Sequence, residues 1–409
     1  MSLREAKGRQ IADRFRIIKE GNLYLVPSQS GKGKYKVRPD LPYCSCPDFE
    51  FRRQPCKHIF AVQITVEKTQ TTVIENGTTT VTETVKVTRK TYAQVWPAYN
   101  KAQTNEKRLF LYLLNQLCQG VGSPAQITGR PRLSLEDMIF AMAFKVYSTV
   151  SGRRFMTDLK DAHGKGYISQ LPCYNSIFNY FESETLTPYL QMLIEESSLP
   201  LSAIETDFAV DSSGLSTCRF VQWVQAKYFD SEIREKKDWI KVHLMCGVKT
   251  NVVTAVEITD QYAGDSPQFA PLVERTAVGF LMNEVSADKA YLSNDNLKVV
   301  VNNNAMPYIP FKTNSTGKGR DDRQPALWKQ MYHYFSYNQE RFMKQYHKRS
   351  NVETTFHMIK SKFGDALRSK TTRAMVNEAL CKVLCHNICC LIQAMYELNL
   401  KPKFYSQAA

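Results

Sequence analysis

Between residues 92 and 200 apolar residues recur every three or four positions, the repeat that lines one side of an α-helix. From Leu201 onward they first alternate with period two, as in half-buried strands. The first stretch predicts helices over 105–119, 134–147, 153–162, 173–182 and 188–196, separated by loops carrying Gly164, Gly166 and Pro172. Ser134, with Glu136 and Asp137 just after it, is close to a capping box and marks a helix start. The second stretch predicts strands over 204–210, 240–248 and 252–258, the last two joined by a turn at 249–251. A helix at 267–276, a strand at 284–287, a helix at 292–299 and a strand at 308–311 follow, and helices at 346–363 and 375–398 complete the chain.

Near the N-terminus, residues 1–20 alternate basic and apolar positions, as a short amphipathic helix or an extended arm would. Alternating runs at 23–26 and 34–37 flank a Gly/Ser-rich turn, and 59–66 reads as an apolar helix, which together predict a ββα unit. Between 66 and 91 the composition shifts to Thr, Val, Lys and Glu around Asn76-Gly77, a type I′ turn signal, so this segment is expected to be a hairpin arm or linker. Three strands followed by alternating helices and strands is the order of an RNase H-like α/β fold. The predicted organisation is a zinc-binding module over 1–68, the hairpin or linker over 69–92, a helical DNA-binding region over 93–200 and an RNase H-like catalytic domain over 201–400.

Composition narrows the partner. The chain has 54 basic and 39 acidic residues in 409, a net charge of +15, which favours a polyanion because each cation near a phosphate releases condensed counterions. DNA is the expected partner. No apolar run approaches a membrane span and no apolar leader follows Met1, so a cytoplasmic, nucleoid-associated protein with no membrane partner is expected. Eleven cysteines, an odd number without a leader, argue against a disulfide framework and for metal ligation or core packing.

Cys44-x-Cys46, nine residues, then Cys56-x-His58 supply three thiolates and an imidazole, a closed set suited to one tetrahedral structural zinc. The pattern resembles the SWIM zinc-binding domain. Lys32, Lys34, Lys36, Arg38, Arg52, Arg53 and Lys57 surround it, consistent with docking to DNA or protein, although a solvated basic face has the same composition. A second group, Cys381, Cys385, Cys389 and Cys390 with His386, lies on one predicted helix, where spacing by four suits core packing better than a tetrahedral site.

Metal-assisted attack on phosphodiesters needs carboxylates converging from separate elements. Asp211 ends the first predicted strand of the core, ahead of Ser212, Ser213 and Gly214, which would admit a phosphate backbone closely; Asp207 shares its strand face and is the alternative. Asp288 follows the strand at 284–287, a position that also suits an N-cap. On the predicted helix at 346–363, Tyr346, Arg349, Glu353 and Lys360 share one arc beside the apolar stripe Val352, Phe356, Ile359 and Phe363. From the residues alone, metal-dependent phosphodiester cleavage follows, with nuclease and strand transferase undistinguished.

The spacing Tyr-x2-Arg-x3-Glu-x6-Lys, complete at Tyr346, Arg349, Glu353 and Lys360, resembles the DDE transposases of bacterial and archaeal insertion sequences. Asp211-Ser-Ser-Gly and Ala287-Asp288-Lys-Ala-Tyr look like that family's first two acidic segments, and the likeness spans about residues 129–393. The resemblance implies two Mg²⁺ or Mn²⁺ held by Asp211, Asp288 and Glu353, and DNA phosphate gripped by Tyr346, Arg349 and Lys360. It further implies cleavage at an element's terminal inverted repeats, strand transfer into target DNA, and a homodimer on paired ends. The alternatives are a nuclease that never joins strands and a non-catalytic DNA-binding regulator derived from a transposase. Larger members of the family carry a β-rich insertion before the glutamate, for which the forty or so residues between Phe311 and Glu353 leave no room.

For DNA recognition, 153–182 reads as a helix-turn-helix presenting Tyr174, Asn175, Ser176 and Asn179, and Gly129-Arg130-Pro131-Arg132 as a minor-groove arm. Trp328, Tyr332, Tyr334, Phe335 and Tyr337 are placed either in the core or against unpaired bases.

Overall fold

The structure is a computed structural model, and it describes residues 3–14, 17–20, 23–28, 33–38, 43–75, 78–87, 95–122, 132–217, 239–315 and 326–404. The turn Asn76-Gly77, Lys32 and the arm residues Gly129, Arg130 and Pro131 lie outside them. The chain divides into two compact units, Met1–Gln94 and Val95–Ala409.

In the first unit α1 (Leu3–Arg14) packs along α3 (Lys57–Thr65). A Cβ at Gly8 would come within 2.7 Å of the Phe60 Cβ and 2.8 Å of the Lys57 carbonyl, so the two backbones approach as only glycine permits. Where two strands were expected there are four, in the order β1 (Ile18–Glu20), β2 (Leu23–Pro27), β3 (Lys34–Arg38), β4 (Tyr43–Cys44), all antiparallel. The flanking strands are three and two residues long, too short to show a period. The short helix α2 (Pro47–Arg52) joins this sheet to α3, and β5 (Val66–Glu75) pairs with β6 (Thr78–Val87) as the Thr/Val-rich hairpin. The core is small: Val26, Val37, Phe49, Ile59 and Val62 close around Cys44, Cys46 and Cys56.

The second unit is built on a five-stranded sheet of order β11-β10-β7-β8-β9. β7 (Asp207–Ser216), β8 (Trp239–Gly247) and β9 (Val253–Asp260) form the antiparallel series; β10 (Glu284–Ala287) and β11 (Met306–Tyr308) run parallel to β7 on its other side. Three antiparallel strands followed by two parallel ones laid beside the first is the RNase H-like arrangement. Alternation along β7 explains its two faces. Ala209 and Leu215 join one core with the helices α4 (Trp96–Cys118), α5 (Leu135–Ser148), α6 (Gly152–Gly164), α7 (Tyr174–Phe181) and α8 (Leu186–Ser198). Phe208 and Val210 join a second core with α9 (Ser266–Gly279), α10 (Asn294–Asn302), α11 (Ala326–Tyr337) and α12 (Gln339–Tyr346). Helices α13 (Ser350–Phe363) and α14 (Thr372–Glu397) complete the first layer.

Contrary to the expectation that no apolar run approaches a membrane span, α14 is long and apolar enough to cross one by length and composition, yet 83% of its most apolar window is buried inside this unit, as a central core helix would be. Several of its buried polar side chains tie it to neighbouring elements. Asn387 donates to the carbonyls of Ile194 (3.1 Å) and Val253 (2.7 Å) and accepts from the Val253 amide (2.8 Å), which ties α14 to α8 and β9. Cys381, Cys385 and Cys390 are buried in this core beside His386, whose Nε2 donates to the Asn251 carbonyl at 2.8 Å. This is core packing, as their spacing suggested.

Candidate active site and metal centre

β7 does not end at Asp211. It runs on to Ser216, paired with β8 throughout as far as Ser216 with Trp239. Ser212, Ser213 and Gly214, expected to lie beyond the strand, belong to it, because a nine-residue antiparallel partner supplies the hydrogen bonds that keep them extended. Gly214 does not leave an opening for a phosphate either: a Cβ there would lie 2.8 Å from the Trp239 ring, so the indole occupies that space.

What does stop is the other neighbour. β10 pairs with β7 only up to Ala287 opposite Val210. Continuing that parallel register by one residue puts Asp288 beside Asp211, where the sheet has just opened. Asp288 also caps the turn that follows, its Oδ1 accepting from the Lys289 amide at 2.6 Å. Asp207, the alternative on the same face, is committed elsewhere: Lys348 Nζ bridges it at 2.8 Å and Glu284 at 2.6 Å.

The expected single helix over 346–363 is two helices. α12 ends at Tyr346, His347–Arg349 form a 3₁₀ turn, and α13 begins at Ser350, with Tyr346, Arg349 and Ser350 all in right-handed helical geometry. The apolar repeat cannot register such a turn, because tightening from 3.6 to 3.0 residues per turn interrupts neither the helical hand nor the burial pattern. It changes the phase, and so aims Arg349 at the sheet. Arg349 donates to Asp211 Oδ2 at 2.5 Å and to Glu353 Oε1 at 2.6 Å, so one half-buried guanidinium joins β7 to α13.

Electrostatics place the remaining groups. Burial raises Asp211 above its ordinary range, Arg349 opposes this, and Asp288 adds to it. Partial burial raises the Tyr346 phenol, helped by Asp288, Asp211 and Glu353 against Arg349. Tyr346 therefore lies within the electrostatic reach of all three acids. Further along α13, Lys360 Nζ donates to Ser213 Oγ at 2.7 Å, and burial pulls its titration down while Asp365 resists. The far end of the helix is clipped to β7: Ser216 N donates to the Asp365 carbonyl at 3.0 Å, and Leu367 N to that of Ser216 at 2.8 Å. Lys382 Nζ, buried and pushed down to about 8 by that burial, holds the same loop through the carbonyls of Gly364 and Ala366, both at 2.9 Å.

Behind Asp211, on the opposite face of β7, stands a polar group that the sequence did not single out. Ser212 Oγ donates to Asp265 Oδ1 at 2.8 Å, and Lys241 Nζ pairs with the same oxygen at 2.8 Å. Burial would raise Asp265, but these two partners outweigh it and hold the carboxyl below its ordinary value. The buried His243 lies beside them with Nδ1 3.5 Å from Asp265, and burial pushes its titration down to about 4, leaving it neutral. Asp265-Ser-Pro reads as an ordinary helix start, yet the Asp265 side chain makes no cap bond.

In the first unit the ligand atoms of Cys44, Cys46, Cys56 and His58 all lie within 4.8 Å of one another, the one such group among the described residues. His58 Nδ1 is 3.8 Å from the sulfurs of both Cys44 and Cys56. A tetrahedral site with metal–sulfur bonds of about 2.3 Å has ligand atoms roughly 3.8 Å apart, so the cluster fits zinc. The charges point the same way. Cys44 favours the thiolate at Cys56, drawing it down to about 3, while Cys44 itself is pushed up, because buried thiolates cannot accumulate without a cation.

Family models match the two regions separately. The transposase DDE domain matches residues 203–388, and the SWIM zinc finger matches 34–66. The chain carries a DDE transposase domain behind a SWIM zinc finger. No curated protein and no solved structure matches it. The DDE domain spans β7 to α14 and so contains Asp211, Asp265, Asp288, Arg349 and Glu353; the SWIM finger contains all four zinc ligands. A DDE domain acts on DNA through divalent cations, and the SWIM finger with its Cys₃His cluster binds zinc.

The expected DNA contacts fare differently. Helices α6 and α7 are separated by nine residues, 165–173, longer than the turn of three or four expected of a helix-turn-helix. Asn175 and Asn179 are exposed, whereas Tyr174 stacks under Arg153, its ring centroid 5.1 Å from the guanidinium. Trp328, Tyr332, Tyr334 and Phe335 pack against the second core, and Tyr337 stands 79% exposed. Among the described residues between Phe311 and Glu353 there are helices and no strand, so no β-rich insertion is seen there.

Proposed function

We propose that the chain cuts DNA at the terminal inverted repeats of a mobile element and joins the freed ends to target DNA, with Asp211, Asp288 and Glu353 holding two Mg²⁺ or Mn²⁺. The observation that carries this reading is the Arg349 guanidinium shared between Asp211 on β7 and Glu353 on α13, with Asp288 at the adjoining register position. Three carboxylates against one guanidinium leave an excess of negative charge in a half-buried site, and the burial that raises Asp211 is relieved by a cation. The donor set is all oxygen, which suits hard divalent ions. When bound, such a pair activates the attacking oxygen and stabilises the leaving one.

The protein's own residues do the rest. Arg349 exchanges its two carboxylates for a phosphate of the element's end, which it holds by the same planar fork. Lys360 adds a point charge from beside Ser213, and Tyr346 offers its hydroxyl to a neighbouring phosphate oxygen. The 3₁₀ turn keeps these groups on the side where β10 has ended. We further propose that two copies assemble on paired ends.

Arg349→Lys is expected to lower cleavage roughly ten- to a hundredfold, the loss of one charge-assisted hydrogen bond of about 1.5–3 kcal/mol, while the charge is kept. The check is single-turnover cleavage of DNA carrying the sequences that flank the gene. Wild-type rates would remove Arg349 from the phosphate grip.

A further inference from the structure

The sheet brings Asp211 and Asp288 side by side but does not pair them, because β10 stops at Ala287 and the last paired position is Val210. Yet two-ion chemistry needs carboxylates placed for ions about 3.5–4 Å apart, and a misplacement of roughly 1 Å can cost a hundredfold. The first turn of α9 supplies a link. Asp265 holds the residue after Asp211 through Ser212 Oγ at 2.8 Å. Its neighbour Ser266 receives the Asn296 amide, Nδ2 lying 3.0 Å from Ser266 Oγ. The same Nδ2 donates to the Tyr291 carbonyl at 2.8 Å, and the Tyr291 amide donates to the Asp288 carbonyl at 2.9 Å. Asn296 is buried, and Tyr291 is 1% exposed with its ring against Phe269 of α9, at 5.6 Å between centroids. Hydrogen bonds, joined through the backbone at Asp265–Ser266 and at Tyr291, therefore link Ser212 to Asp288.

We infer that Asp265 and Asn296 are positioning residues, which clamp β7 and the turn after β10 to the start of α9 and so set the separation of Asp211 and Asp288. This rests on the proposal that those two acids hold divalent cations. Neither clamp residue faces the cations: Asp265 lies on the opposite face of β7 and spends its charge on Lys241. The role explains why Asp265, although at the N-cap, makes no cap bond to its own helix.

The test is Mn²⁺ binding to the zinc-loaded full chain, read by electron paramagnetic resonance and calorimetry, with thermal melting alongside. Asp265→Ala and Asn296→Ala are each expected to weaken Mn²⁺ roughly ten- to a hundredfold, as for outer partners of metal ligands. The double variant should be little worse than either, because both act on one linkage. Asp265→Asn, which can still accept from Ser212, should recover most of the affinity and guards against misfolding of the alanine variant. Variants that melt lower but bind Mn²⁺ as the wild type does would overturn the inference and leave the metal site standing. Mn²⁺ binding that Asp288→Ala leaves at the wild-type level would overturn the metal site and the clamp together.

Discussion

Glu353→Gln is expected to abolish DNA cleavage, with a fall of roughly a thousandfold or more, about 4 kcal/mol of transition-state stabilisation. The substitution keeps the shape of the side chain and an oxygen that can accept from Arg349, so the link between β7 and α13 survives. What is lost is the anionic charge. Glu353 is 60% exposed, and an ion pair at such a position contributes about 1 kcal/mol at most, so the melting temperature should scarcely change. End binding should stay within a few fold, because Arg349, Lys360 and Tyr346 remain. The measurements are single-turnover cleavage in Mg²⁺, a binding titration in its absence and a melt. Cleavage within tenfold of wild type would take Glu353 out of the site.

Cys46→Ser is the second large effect, and it falls on stability. Among the described residues the buried apolar set of the first unit includes Cys44, Cys46 and Cys56 themselves, and few large side chains stand beside them. A structural zinc contributes on the order of 10–16 kcal/mol in small zinc-dependent folds, more than such a core supplies alone. Losing one thiolate should remove about one equivalent of zinc per chain. The Met1–Gln94 unit should lose its cooperative melt while Val95–Ala409 keeps its own. Metal analysis and differential calorimetry read both. Unchanged zinc content would contradict the assignment, and a zinc-free first unit that still melts cooperatively would show the metal to be dispensable for folding.

The zinc cluster was legible in the sequence because its spacing is the site: two tight pairs of ligands need little more than a turn to converge. The strand at 284–287 was legible to the residue, since it is short, alternates polar with apolar residues and is bounded by Asn283 and Asp288. Asp211 was singled out for a reason that the structure replaces. Ser-Ser-Gly looked like the end of a strand, whereas the opening beside Asp211 is made by the early end of β10, a partner far away in sequence. The helical repeat likewise placed Tyr346, Arg349, Glu353 and Lys360 near one another but not the 3₁₀ turn that aims Arg349. Asp265 and Asn296 were invisible, because an Asp before Ser-Pro and an Asn inside a helix have local explanations that suffice. Only tertiary contact shows where their side chains go.

The claim that the DDE domain both cuts and joins is tested most directly by incubating the zinc-loaded full chain with DNA carrying the gene's flanking ends, a target plasmid and Mg²⁺ or Mn²⁺, and sequencing the products. The account predicts cuts at the ends leaving 3′-hydroxyls, joined products in the target, and neither when the divalent cation is withheld. End binding without any cut in either cation would contradict it outright; cuts without joined products would leave a metal-dependent nuclease.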